Sequence, residues 1–271
     1  MQSTSPLLIV IFILMALIHT IDTGAYAARL AGVRTGHPTL AGSLYNVLAL
    51  GSRGANALAG PLIASMTDLA ENQQDMGGLL TIYRVVLLAA PVGTVVAALL
   101  IPTLSRVLAR GVASYEMRRS LPNVVVHGAS VQGLWQIRHE LRAPRIEVLR
   151  ELRRSPFPKR FLLASILVTA ISTVSNAAAM YASAMVPDGA RTATSLSPMF
   201  AGFGLLLTIF LVNPIAAMVA DEAMRGKRPL KDVTYITVWQ IGAQFIGTLT
   251  AQALLYPVSW GIAVVTTWLI A

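Results

Sequence analysis

Leu7–Leu30 reads LLIVIFILMALIHTIDTGAYAARL, an apolar run that meets no charge until Asp22. A bilayer core needs about 20 mostly apolar residues per helix, and this stretch supplies them. Asp22 would then lie deep in hydrocarbon. In the next apolar stretch, about 39–66, Arg53 occupies a similar place. An unpaired charge at that depth costs at least ~2.5–3.5 kcal/mol, so such residues face a partner or a watery cavity. The pair therefore reads as the floor of a polar cavity, with a buried ion pair that only sets helix register as the alternative.

Composition agrees with a membrane protein. The chain has 271 residues, 55% of them hydrophobic and 12% charged, with mean hydropathy +0.65. Soluble domains carry about 25% charged residues. Cysteine is absent, which excludes disulfides and thiolate sites. Four scattered histidines give no metal-ligand spacing, so neither a metal nor another cofactor is expected.

Six stretches have the length and character of spans: about 7–30, 39–66, 82–108, 160–186, 198–220 and 234–270. Pro257 is expected to kink or interrupt the last, and Gly60-Pro61 and Asn213-Pro214 to bend the second and fifth into a hinge or groove wall. Between the spans, charge alternates. Arg29 and Arg34 flank the first loop, Asp68, Glu71 and Asp75 the second. The fourth holds Asp188 and Arg191, and the fifth Arg225, Lys227, Arg228 and Lys231 beside three acids. From Arg106 to Arg160 there are twelve Lys/Arg against four Glu, a net +8 of the total +9. Basic loops stay cytoplasmic, so both termini fall outside and the 109–159 loop inside. This charge is read as topological and as attraction to anionic phospholipid, not as a nucleic-acid site. Ala25-Tyr26-Ala27 resembles a signal-peptidase site, but a basic leader is missing and Asp22 breaks the apolar run, so the helix is expected to be retained. In the basic loop, Leu134, Ile137 and Leu141, then Ile146, Val148, Leu149 and Leu152, recur at helical spacing among arginines. They predict two amphipathic helices on the membrane face or a small helical hairpin.

The two halves match at a shift of 153. Ile18-His19-Thr20-Ile21 faces Ile171-Ser172-Thr173-Val174, Pro61 and Asp68 face Pro214 and Asp221, and, after one gap, Gly93-Thr94 faces Gly247-Thr248. A three-span repeat is odd-numbered, so its second copy crosses in the opposite direction. The expected fold is all-α and polytopic: one membrane domain of two inverted-topology repeats, about 7–108 and 160–271, around the basic loop. Such architectures bind substrate between the halves and alternate access.

On the first helix, His19, Asp22, Tyr26 and Arg29 form one stripe; on the second, Asn46, Arg53 and Asn56 form another. Arg84 falls toward the outer mouth, where interfacial snorkelling is the plainer reading, as it is for Arg34. Arginine outnumbers acid here, and guanidinium forks suit phosphate oxygens. The candidate binding residues are thus His19, Asp22, Arg29, Arg34, Arg53, Asn56 and Arg84. Gln240, Gln244 and Gln252 share a face of the last helix, as cavity lining or interhelical bonds. No Gly-x-Ser-x-Gly elbow, His-Glu-x-x-His pair or phosphate-binding glycine loop is present, so enzyme chemistry is not expected. Three classes stay in view: a carrier of a phosphorylated lipid, a proton-coupled transporter of an anionic or small solute, and a scaffold docking partners through its basic loop.

Ile18-His19-Thr20-Ile21-Asp22-Thr23, Tyr26, Arg29-Leu30-Ala31-Gly32-Val33-Arg34-Thr35-Gly36, Ser52-Arg53, Asn56 and Pro61-Leu62 resemble the Amj family of bacterial lipid II flippases, alternates to MurJ. The resemblance implies a multi-pass protein of the bacterial cytoplasmic membrane, whose substrate is undecaprenyl-pyrophosphoryl-disaccharide-pentapeptide. It also implies that His19, Asp22, Arg29, Arg34, Arg53 and Asn56 serve that substrate. Arg84 is added on charge and depth alone. The oligomeric state is left open, a homo-oligomer included.

Overall fold

The computed structural model describes residues 4–72, 75–120, 123–124, 126, 130, 135, 138–144, 146–152 and 159–271. All regular structure among them is helical. The long helices are α1 (Thr4–Thr35), α2 (Pro38–Asn72) and α3 (Met76–Arg118). After the short α4 (Ile146–Leu152) come α5 (Lys159–Met185), α6 (Ala190–Ser195), α7 (Ser197–Leu207), a π-turn at Thr208–Val212, α8 (Asn213–Met224) and α9 (Lys231–Ile270).

Five segments among the described residues are long and apolar enough to cross a membrane: Pro6–Thr35, Met76–Arg118, Lys159–Met185, Pro187–Met224 and Lys231–Ile270. The sequence led us to expect six. The missing one is α2, which forms as an unbroken helix but is diluted by Ser43, Asn46, Ser52, Arg53 and Asn56. Pro257 does not interrupt the last helix, which runs on to Ile270. The fifth segment is irregular where a bend is expected. There the π-turn precedes Asn213-Pro214, and Pro214 starts α8 where its missing N–H is harmless. Of the two amphipathic stretches, the second is helical as α4; Leu134 and Ile137 lie outside the described residues, and Leu141 is not in a helix.

The link between α1 and α2 is tight because its residues permit it. Gly36 takes φ +73°, and Pro38 opens α2 against Gly32, where a Cβ would come within 2.6 Å of the Pro38 Cα. The other close crossings also fall on glycines, and they recur in both halves. A Cβ on Gly93 of α3 would meet the Ala16 carbonyl oxygen of α1 at 2.3 Å and His19 Cβ at 2.9 Å. One on Gly247 of α9 would meet the Ile166 carbonyl oxygen of α5 at 2.7 Å and Thr169 Cβ at 2.6 Å. Each glycine thus seats on carbonyl i and side chain i+3 of its partner. Small residues that let backbones approach drive helix association in lipid, where no hydrophobic effect can.

Two apolar cores lie along the bundle. One gathers Ile11, Ile18, Tyr83, Leu87, Val174, Leu255 and their neighbours. The other gathers Ala27, Leu30, Leu44, Leu108, Phe161 and Ile236 at the end that carries the basic segment. On α1, α2, α3, α5 and α9 the chain between these cores buries polar side chains: Thr23, Ser52, Thr94, Ser165, Gln244 and Thr248. The middle of the bundle is therefore its polar layer.

A polar layer and a cavity between the halves

The polar layer holds Asp22. Its Oδ1 accepts a 2.8 Å hydrogen bond from Ser52 Oγ of α2, and Tyr45 Oη donates to the Ile21 carbonyl at 2.8 Å. Tyr45 and Ser52 are seven apart, hence on one face of α2. They run alongside the Asn46/Arg53 stripe, displaced by one residue. That parallel spacing was the available signal for them, overlooked beside the charge. Arg53 follows Ser52 in the same turn of α2, at the level of Asp22; its side chain lies outside the described residues. Asn56 is exposed one turn further on.

His19 is half-buried and packs against Gly93, so it faces α3 rather than α2. Thr20 links the same two helices, donating to Ala16 and Gly93 carbonyls at 2.7 and 3.1 Å. A Thr can satisfy its hydroxyl on the carbonyl one turn back, which is why Thr and Ser populate helices in lipid.

Arg29 reaches across the bundle. Its Nη1 donates to Gln240 Oε1 of α9, and its guanidinium lies 6.0 Å from the Tyr26 ring centre. Arg34, one further turn on, turns aside to α3 and donates 3.1 Å to Ser105 Oγ. Arg84 is exposed at the other end of α3, where its carbonyl accepts 2.9 Å from Gln252 Nε2. The seven candidates are thus not one cluster. Asp22 and Arg53 share the middle layer. Arg29 and Arg34 stand toward the basic end, and Arg84 toward the opposite end.

A cavity of about 450 Å³ opens beside Arg29. Its walls are α1 (Ala25, Ala28, Arg29), α2 (Gly42, Tyr45, Asn46) and, from the other half, α8 (Ala217, Ala220, Asp221). Alanines and glycine leave the space, while Arg29, Tyr45, Asn46 and Asp221 furnish polar groups. Asp221 also pairs with Arg225 at 3.0 Å. Such a lining accepts an anion at Arg29 and hydroxyl or amide groups at the neutral side chains. In the sequence Asp221 is one of the three acids of the fifth loop and faces Asp68 at the 153-residue shift; its position on the cavity wall needed the fold.

A second cavity, of about 490 Å³, lies under the basic segment, between Arg110, Ala113 and Ser114 of α3 and Trp135 and His139. Glu140 pins this segment to α3 through Arg106 (3.6 Å) and Arg110. The Arg142 amide donates 3.1 Å to Thr103 Oγ1, and Glu151 of α4 accepts from Tyr235 Oη of α9. The segment therefore straps the basic end from α3 to α9.

Residues 14–266 match the protein family described as Amj, alternate to MurJ. The chain is 30% identical over 260 residues to the lipid II flippase Amj of Bacillus subtilis (strain 168), covering 95% of this chain and 96% of that relative. No solved structure matches it.

Proposed function

The chain belongs to the Amj family, and on that premise we propose that it is a lipid II flippase of the bacterial cytoplasmic membrane, not an enzyme. It moves the undecaprenyl-pyrophosphate-linked precursor from the cytoplasmic to the outer leaflet. No bond is made or broken; the protein lowers the barrier for a polar head group to cross hydrocarbon. The observation that carries the reading is the Arg29 cavity between the halves, leading from the basic end toward the polar layer.

In this reading the basic end is cytoplasmic and both termini are outside. The single membrane domain comprises two inverted repeats, about 7–108 and 160–271, joined by the basic loop at about 109–159, and α2 is the sixth span. A span can be this polar when its polar face meets protein or water rather than lipid. The twin glycine crossings support the repeat. They are not in perfect register: Gly93 and Gly247 are 154 apart, while their partner residues are 150 apart, so one crossing has slipped by about a turn.

The head group enters against Arg29 and Arg34, passes Asp22, Arg53 and Asn56, and leaves past His19 and Arg84, while the prenyl tail stays in lipid. A volume of about 450 Å³ lies in the range of small-ligand pockets. It admits the pyrophosphate and part of the sugars, so the halves must part to take the rest, as alternating access requires. The test is rescue of a bacterium depleted of its own lipid II flippases, with surface-exposed lipid II scored directly. Rescue lost on Arg53→Ala, with the protein still inserted, supports the reading. No rescue by a well-inserted parent overturns it.

A further inference from the structure

Each half is joined firmly within itself. Gly93 seats α3 on α1, and Gly247 seats α9 on α5. Between the halves, two polar ties stand on one face of α9: Gln240 accepts from Arg29 of α1, and Gln252 donates to the Arg84 carbonyl of α3. Gln244 lies between them, one turn beyond Gln240 on the same face. It is 9% exposed, and its Oε1 meets no donor among the described residues. Buried amide oxygens are nearly always satisfied, so one left without a donor calls for a reason.

We propose that Gln240 and Gln244 are alternative seats for the Arg29 guanidinium, which passes from one to the other as α9 slides past α1 by one turn. The inference rests on the alternating-access reading above. The four residues from Gln240 to Gln244 rise about 6 Å, close to the one-turn register jumps by which packed helices switch between discrete states. Both seats are carboxamide oxygens, so Arg29 keeps its bond in either state and one amide is always left over. The Arg29 bond therefore favours neither state, whereas a single acceptor would fix the halves in one; only the Gln252 tie is given up in the slide. The move also carries Arg29, and an anion bound to it, past α9 to the level of Gln244.

The chain has no cysteine, so Ala217→Cys on the cavity wall is its sole thiol. We would measure its labelling by a water-soluble maleimide in full-length protein, held in nanodiscs of phosphatidylethanolamine and phosphatidylglycerol. Glutamate at a seat attracts Arg29 and leucine repels it. Gln244→Glu and Gln240→Leu should both close the cavity and slow labelling about five- to tenfold. Gln240→Glu and Gln244→Leu should both hold the present state and label at least as fast as the parent. A general loss of packing cannot make opposite substitutions at two sites agree in this way. All four labelling alike, or sorting by position rather than by the seat they favour, overturns the proposal. Lipid II translocation by the parent is measured separately; its absence with the crossed pattern intact removes the substrate reading and leaves the two-seat device standing.

Discussion

Ser52 donates a 2.8 Å hydrogen bond to Asp22 Oδ1, joining the first two helices in the polar layer one residue before Arg53. An asparagine at 22 would still accept that bond, so the bond and the charge can be separated. We expect Asp22→Asn to insert normally yet lose lipid II translocation, while Ser52→Ala loses only severalfold. A fully active Asp22→Asn would reduce Asp22 to a hydrogen-bond acceptor.

The Asp22/Arg53 pair has its own test. If the two only fix helix register, Asp22→Asn and Arg53→Gln each harm more than the double change, because each alone leaves a charge uncompensated. If they serve the substrate, all three lose translocation equally, and this second result is the expected one. Translocation assayed in a cycle of the three variants decides it.

The glycine crossings predict stability. Gly93→Ala and Gly247→Ala push a methyl into backbone or Cβ atoms closer than 3 Å, and overpacking of this kind costs about 1–3 kcal/mol. Gly60→Ala and Gly242→Ala meet nothing within 4 Å and should be neutral or stabilising by ~0.5–1 kcal/mol. Thermal unfolding in detergent compares the four. Equal midpoints would mean that the crossings yield freely.

The strap predicts a protease pattern. Glu140 holds the 138–144 segment to α3, and Glu151 holds α4 to α9. Glu140→Gln combined with Tyr235→Phe should loosen the backbone around the already exposed Arg138 and Arg142, so that trypsin shortens the half-life of the intact chain severalfold. Unchanged digestion would mean that Thr103 and apolar packing suffice.

Topology is testable with single cysteines in the cysteine-free chain. With α2 as a span, Gly36→Cys and Lys227→Cys should resist an impermeant maleimide in intact cells, whereas Asp75→Cys and Asp188→Cys should react. Gly36 and Asp75 labelling alike would mean that α2 does not cross.

The helices were legible because a span of lipid-facing residues is a strong signal, and Asp22 and Arg53 stood out against it. Two features were less legible. Arg29 was read as one member of a stripe, but its partner Gln240 lies 211 residues away, and only tertiary packing brings them together. The prolines marked bends at Pro61, Pro214 and Pro257 alike, yet the helices run on through Pro61 and Pro257, and the irregular turn falls before Pro214. A proline says where a backbone bond is missing, but neighbouring helices decide whether the bend occurs.

The 43 residues of α3 make a rod about 65 Å long, twice the hydrocarbon thickness of about 30 Å. It is longer than the hydrocarbon is thick, and near its basic end Glu116 meets His37 at 2.9 Å. The strap is bound to this rod at Thr103, Arg106 and Arg110, about two to four turns short of its end. Salt that weakens the Glu140 pairs should therefore act on a rod whose middle, at Gly93, is seated beside His19 in the polar layer.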